Sequence, residues 1–166
     1  LRAFLLVDGL PARSEAFERA ARRVHEDYLR SAVPKEPSLR PWGELSEDLR
    51  ASNFHQVAYA ENILKTAGLG LRPLTDVSRP LLDMEEALGE AGLQRLAEIE
   101  HGRWNVARIL RGWRYSEAKD VANKRSPYLV PWNRLAQETQ EFDLRAIRGL
   151  PAMFREAGLE VFVISS

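Results

Sequence analysis

The chain has 166 residues and a mass of 18.9 kDa, enough for one compact domain or two small units that share a core, and too little for a two-domain enzyme. Its 24 basic and 24 acidic residues cancel, which excludes a general cationic surface for nucleic acid or an anionic membrane. Cysteine is absent, so disulfides, thiol catalysis and thiolate metal sites are excluded as well.

The first residues, 1–10, combine an apolar run from Leu1 to Val7 with the turn formers Asp8 and Gly9, a pattern that predicts a short strand. The chain opens without an initiator Met or a signal-peptide pattern. We therefore expect it to be a piece of a longer polypeptide, with this strand belonging to an upstream domain. No apolar run approaches the roughly 20 residues that cross a bilayer, so no direct membrane insertion is expected.

Two helices are predicted in the first half of the chain. Ser14 is a suitable N-cap for the first, whose apolar residues recur at helical spacing up to Pro34. The proline-rich stretch from Pro34 to Pro41 predicts a loop. The second helix is predicted from Asn53, as its N-cap, to Ala67, with Gly68 ending it in the left-handed conformation.

The second half begins with a predicted short helix, Met84 to Leu88, and a long helix from about Leu93 to Leu110. From Gly112 to Asn133 the periodicity gives way to an aromatic and basic loop.

A last helix is predicted from Asp143 to Gly158, followed by a strand from Leu159 to Ile164. Pro151 lies inside this helix and is expected to kink it. The overall prediction is a mainly α protein with a few short β-strands.

An internal repeat organises these elements. Pro41-Trp42 aligns without a gap with Pro131-Trp132, 90 residues later, and Asn53 then meets Asp143. Upstream, His25 to Tyr28 resembles His101 to Trp104, 76 residues later. We therefore predict tandem pseudo-twofold helical repeats, at about residues 14–74 and 93–164, with their His-containing helices facing one another across a cleft. The alternative is a chance match of recurring caps and apolar spacings.

The second copy resembles a ryanodine receptor (RyR) repeat over about Leu96 to Val163. The residues that carry the resemblance are Glu100-His101-Gly102-Arg103-Trp104, Gly112-Trp113-Arg114-Tyr115, Lys124-Arg125-Ser126-Pro127-Tyr128-Leu129-Val130-Pro131-Trp132 and Ala157-Gly158-Leu159-Glu160-Val161. The resemblance implies a single RyR-type domain over residues 1–166: a mainly helical module of paired repeats with a regulatory or structural role, found in calcium channels and in prokaryotic proteins beside nucleotide-binding or potassium-channel segments. It implies no enzymatic activity.

The aromatic and basic loop carries the candidate ligand site. Residues 111–134 contain six basic and two acidic side chains among several aromatic ones. Aromatic faces stack on flat rings and basic groups meet phosphate, which favours a nucleotide-like anion. Tyr28 and Trp104, at equivalent positions of the two copies, are expected to clamp a flat ring, and the resemblance implies a small-molecule site in the groove between paired repeats. The predicted ligand-binding residues are Tyr28, Trp104, Trp113, Tyr115, Lys124 and Arg125. The alternative is that the aromatic residues fill the core.

No linear catalytic motif is present, so we expect no enzyme, no catalytic residues and no cofactor. Glu98 and His101 have the Glu-x-x-His spacing of di-iron bundles, but the equivalent place before His25 holds Arg22, so no metal site is predicted either. The predicted function is a regulatory, ligand-sensing or interaction module of a larger, cytoplasmic or membrane-attached protein, with other domains of the same polypeptide as partners and no nucleic acid. The alternatives are a purely structural interaction module, a small hydrolase without a linear motif, and nucleic-acid binding through the basic loop.

Overall fold

The computed structural model describes residues 14–31 and 40–164. The predicted strand at residues 1–10 and most of the predicted loop from Pro34 to Pro41 lie outside the described residues. Within them the chain forms five α-helices and four short strands: α1 (Glu15–Ser31), α2 (Glu47–Thr66), β1 (Leu69–Pro73), α3 (Met84–Leu110), β2 (Arg114–Tyr115), β3 (Arg125–Ser126), α4 (Gln137–Arg148), α5 (Leu150–Glu156) and β4 (Leu159–Val163). The prediction of a mainly α protein with short strands is confirmed.

The start of α1 follows the predicted capping, because the Ser14 hydroxyl accepts a hydrogen bond of 3.1 Å from the Phe17 backbone N–H. The predicted start of α2 at Asn53 is wrong. Ser46 caps the helix by accepting from the Leu49 N–H, and the Asn53 side chain donates to the Leu49 carbonyl from inside the helix. Asn53 is thus a polar residue on a helix face, and its resemblance to a cap is coincidental.

The predicted start of the last helix at Asp143 is wrong in the same way. Helix α4 begins at Gln137 after Ala136, which has no side chain able to cap, and Asp143 lies in its middle. In place of the kink expected at Pro151, the helix is divided in two: α4 ends at Arg148, Gly149 follows, and Pro151 occupies the first turn of α5, where its missing N–H costs little.

Helix α3 combines the two predicted helices, Met84 to Leu88 and Leu93 to Leu110. They meet at Gly89, which has the non-helical angles φ 64° and ψ 173°. Gly158 follows α5 with φ 77°, as Gly68 follows α2 with φ 70°, so both predicted left-handed helix stops are confirmed.

Strands β1 and β4 form an antiparallel pair in which Leu71 lies opposite Val161. This pair joins the first half of the chain to its end. In the predicted loop from Gly112 to Asn133, β2 and β3 pair in parallel over two residues. The loop therefore has more local structure than its sequence indicates.

One apolar core lies under both halves. Helix α1 packs against α2 and α5, and α3 packs against α4. The core includes Ile63 of α2, Leu96 of α3, Ile147 of α4 and Phe154 of α5, each at most 1% exposed. Neither half therefore has a core of its own among the described residues. None of the helices in residues 14–31 and 40–164 combines the length and the apolar character needed to cross a membrane.

The same local arrangement occurs in both halves. The imidazole Nε2 of His25 lies 2.7 Å from the Arg40 carbonyl, and that of His101 lies 2.8 Å from the Val130 carbonyl, each just before a Pro-Trp pair. The rings of Trp42 and Trp132 then pack on these histidines at centroid distances of 6.1 and 5.9 Å. The two contacts are local, and the tandem repeat stays a prediction.

Candidate functional site

A cleft of about 370 Å³ lies between the two halves of the chain. Helices α1 and α2 provide one wall, and α3, α4 and the loop after α3 provide the other. Many of the lining residues occupy equivalent positions of the two halves. The pairs 76 residues apart are Val24 and Glu100, His25 and His101, Asp27 and Arg103, Tyr28 and Trp104; those 90 residues apart are Leu49 and Thr139, Ser52 and Phe142, Asn53 and Asp143, Gln56 and Ala146.

A column of alternating rings and a cation follows α3 along the cleft. The His101 and Trp104 rings stack at a centroid distance of 6.0 Å and an interplanar angle of 18°. One turn later the Arg108 guanidinium lies 5.3 Å from the Trp104 ring centroid and 4.8 Å from that of Trp113. Spacing of three to four residues places these side chains above one another on a helix, and Gly112 lets the chain turn so that Trp113 completes the column.

Arg108 has no carboxylate in ion-pair contact in the described part of the chain, although the charge of Asp48 acts on it from a longer distance. Its Nε is buried and has no hydrogen-bond partner there. Burial lowers the pKa of Arg108, and the neighbouring cations Arg111 and Arg103 lower it further. A desolvated guanidinium held between two indole rings is an electrostatic arrangement that an anion would complete.

Beside Arg108, Glu100 and Arg103 form a buried, bidentate ion pair. The Arg103 Nε and terminal nitrogen donate to the two Glu100 oxygens at 2.7 and 2.6 Å. Burial raises the pKa of Glu100, although the Arg103 charge opposes this shift. The charge of Arg103 is therefore already neutralised, unlike that of Arg108.

His101 is held at both ring nitrogens. Its Nδ1 lies 3.3 Å from a carboxylate oxygen of Asp143, and its Nε2 faces the Val130 carbonyl, which also accepts from the Asn105 amide at 3.0 Å. Burial alone lowers the pKa of His101, but hydrogen bonds to Asp143 and Val130 outweigh it, and the pKa lies above its ordinary value. His101 is thus held in place in the cleft wall, and its surroundings favour the protonated form more than water does.

Three of the residues predicted from the sequence line the cleft: Tyr28, Trp104 and Trp113. Trp104 and Trp113 are half-buried and lie outside the apolar core, whereas the other two tryptophans, Trp42 and Trp132, pack against that core. The alternative in which all these aromatic residues fill the core therefore holds for only part of the set.

The other three predicted residues, Tyr115, Lys124 and Arg125, do not line the cleft. They lie on and beside the β2–β3 pair and are exposed. The Lys124 ammonium donates to the Arg111 carbonyl at 3.0 Å, so it fastens the loop to the end of α3. Their closeness in sequence to Trp113 does not bring them to the same cleft.

The sequence did not lead to Arg108, a cation of the cleft wall that has no ion-pair contact among the described residues. The available signal was its spacing of four residues from Trp104, which places both on one helix face. Lys119 and Tyr128 complete the wall from the loop, with the Lys119 ammonium 5.8 Å from the Tyr128 ring centroid.

The described residues contain no group of three or more acidic, His or Cys side chains arranged to hold a metal ion. Comparison with protein families gives one finding: residues 82–161 match the family model of the RyR domain. The matched range contains α3, the loop, α4, α5 and most of β4, so it supplies one whole wall of the cleft.

Proposed function

Because residues 82–161 of this chain are a RyR domain, we propose that the chain is a non-enzymatic, ligand-sensing module whose cleft binds a nucleotide-like anion. The module regulates the longer, cytoplasmic or channel-forming polypeptide to which we assign it, and its other partners are domains of that polypeptide. The proposal extends the RyR assignment to a second copy, residues 14–74, that provides the opposite wall.

The observation that carries the proposal is the environment of the Arg108 guanidinium. Its guanidinium lies between the Trp104 and Trp113 rings, its Nε is buried, and it has neither a hydrogen-bond partner for that nitrogen nor a carboxylate in ion-pair contact among the described residues. Guanidinium groups bind phosphate through two parallel hydrogen bonds, which makes a phosphoryl group the natural counter-ion.

The remainder of the cleft suits the uncharged parts of a nucleotide. The Tyr28 and Trp104 rings offer apolar surface to a base, and Ser52, Asn53 and Gln56 of α2 bring hydroxyl and amide groups that suit ribose or base edges. The volume of about 370 Å³ is within the range of small-molecule sites.

The same cleft contains the two groups with which a hydrolase would act, Glu100 and His101, each with a raised pKa. Their hydrogen bonds argue against this alternative. Both Glu100 oxygens accept from Arg103, the His101 Nδ1 lies against Asp143, and its Nε2 contacts the Val130 carbonyl and the Asn105 amide nitrogen, so neither group has an atom available for a substrate proton. These contacts favour a structural and electrostatic role for the pair.

The test is a titration of the 166-residue chain with ATP, followed by tryptophan fluorescence and by calorimetry. We expect saturable binding that weakens about tenfold in Arg108→Gln, because a charge-assisted hydrogen bond is lost. Arg125→Gln is the matched control: it removes the same charge from an exposed residue outside the cleft. If the basic loop instead binds nucleic acid, Arg125→Gln is expected to weaken binding more than Arg108→Gln does. The affinity is then also expected to fall steeply with salt concentration.

Absence of any heat or fluorescence change at millimolar ATP would leave the purely structural interaction module as the better description. Equal losses in the two Arg variants would also overturn the assignment of the cleft. Measuring thermal unfolding of both variants separates a binding defect from a folding defect.

A further inference from the structure

A second cavity, of about 210 Å³, lies against β4 and α5 and shares no lining residue with the cleft. Three arginines line it: Arg72 on β1, Arg79 in the segment between β1 and α3, and Arg155 on α5. One carboxylate, Glu160 on β4, lies among them.

Glu160 forms ion pairs with two of the three arginines and holds them in place. Its side chain is 9% exposed, and one of its oxygens accepts both from Arg72 and from Arg79, the latter at 2.9 Å. Arg72 and Glu160 are also opposite one another in the β1–β4 register. The Arg72 guanidinium is further held over the Phe162 ring, 4.9 Å from its centroid.

Arg155 is the third cation, and it has no carboxylate of its own in residues 14–31 and 40–164. One of its terminal nitrogens donates to the Arg79 carbonyl at 2.6 Å, but its Nε is buried without any hydrogen-bond partner there. The nearby carboxylate of Asp76 is exposed and accepts hydrogen bonds from the Ser78 N–H and hydroxyl instead. The cavity therefore keeps an excess of positive charge and an unused donor.

We propose that this cavity binds a small organic oxyanion, a phosphate monoester or a carboxylate, whose apolar group packs on the opposite wall. The charged part meets Arg155 and Arg79. The apolar wall is provided by Leu81, Leu82, Phe162 and Val163, which also line the cavity. An anion there would neutralise the arginine excess that Glu160 leaves.

The site is independent of the nucleotide-like ligand proposed above, although both sites use α5. Met153 of that helix lines the cleft, whereas Pro151 and Arg155 line the second cavity. Failure of one proposal therefore leaves the other standing, provided that each is measured with its own variants.

The test follows the Arg155 Nε–H signal by ¹H–¹⁵N NMR during titration with phenyl phosphate. This signal is identified as the one that is missing from the spectrum of Arg155→Gln. We expect a saturable shift of this signal with the same midpoint in Arg108→Gln and in Arg114→Gln, an exposed arginine outside both cavities. In Arg155→Gln the Nε–H signal of Arg79, which lines the same cavity, reports binding, and we expect the affinity to be about tenfold weaker. Inorganic phosphate is expected to bind more weakly than phenyl phosphate, because it gains nothing from the apolar wall.

An Arg155 signal that does not move with millimolar phenyl phosphate would refute the site. So would an equal loss of binding in Arg114→Gln, since that would mean a general charge effect. Equal affinity for the two phosphates would overturn the assignment of the apolar wall. If Arg155→Gln fails to fold, Arg155→Lys supplies the assignment, and the wild-type titration alone decides.

Discussion

Replacing Asp143 by Asn tests whether Asp143 raises the pKa of His101 in the cleft wall. Burial lowers the pKa of His101, but the hydrogen bonds to Asp143 and Val130 raise it above the ordinary value of 6.5. The folded protein therefore binds this proton more tightly than the unfolded chain. The resulting stabilisation is present in full below pH 6.5 and is lost as the pH rises through the folded pKa.

The geometry sets the size of the effect. The Nδ1–Oδ2 distance is 3.3 Å, and the Asp143 side chain is 19% exposed, so this pair is weaker than a short and fully buried one. We expect Asp143→Asn to lower the free energy of unfolding by about 2 kcal/mol near pH 5.5, less than the roughly 3–5 kcal/mol lost on breaking a fully buried ion pair. At high pH a neutral His101 still donates a hydrogen bond to the Asn amide oxygen, which is weaker than the bond to the carboxylate, and the expected loss falls below about 1 kcal/mol.

Urea unfolding near pH 5.5 and near pH 8.5 measures both values. His101→Gln and the double variant complete a thermodynamic cycle that removes the effect of Asp143 on its other neighbour, Glu100. A cost of Asp143→Asn that is the same at both pH values would refute the raised pKa of His101.

Three further predictions concern stability and are measured by chemical unfolding. Phe154→Ala is expected to cost about 3–5 kcal/mol, because the side chain is 0% exposed in the shared core; a loss near zero would contradict a single core. Gly158→Ala is expected to cost about 1 kcal/mol, because φ is 77° there, whereas Gly43→Ala, with open space and no positive φ, serves as a near-neutral control. Glu100→Gln is expected to cost about 3–5 kcal/mol by leaving Arg103 buried and unpaired, and adding Arg103→Met is expected to recover most of this; additive losses would contradict the pairing.

The ends of several helices could be predicted because their signals are local. Ser14 caps α1, Gly158 follows α5, and Pro151 marks the break before it. The starts of α2 and α4 could not be predicted. Asn53 and Asp143 both have the chemistry of a cap but lie inside their helices, and Ala136 gives no capping signal at all. Only the packing of a helix decides between two such polar positions.

The candidate cleft could be predicted in outline, because the internal similarity pairs Tyr28 with Trp104 and both line it. The charged residues of the cleft could not be predicted. Lys124 and Arg125 follow Trp113 closely in sequence, but the β2–β3 pairing carries them away from the cleft. Arg108 shares a helix face with Trp104, four residues earlier, but its spacing alone does not tell that it lacks an ion-pair partner in the folded protein.

The pairing of β1 with β4 has a consequence for the synthesis of this protein. Strand β1 has β4 as its partner in the described part of the chain, and the register sets Leu71 against Val161. During translation β1 therefore leaves the ribosome with an open strand edge, which stays open until β4 has been made about 90 residues later. Closing a contact over such a long separation is slow, so the synthesis of β4 governs when this part of the fold is completed.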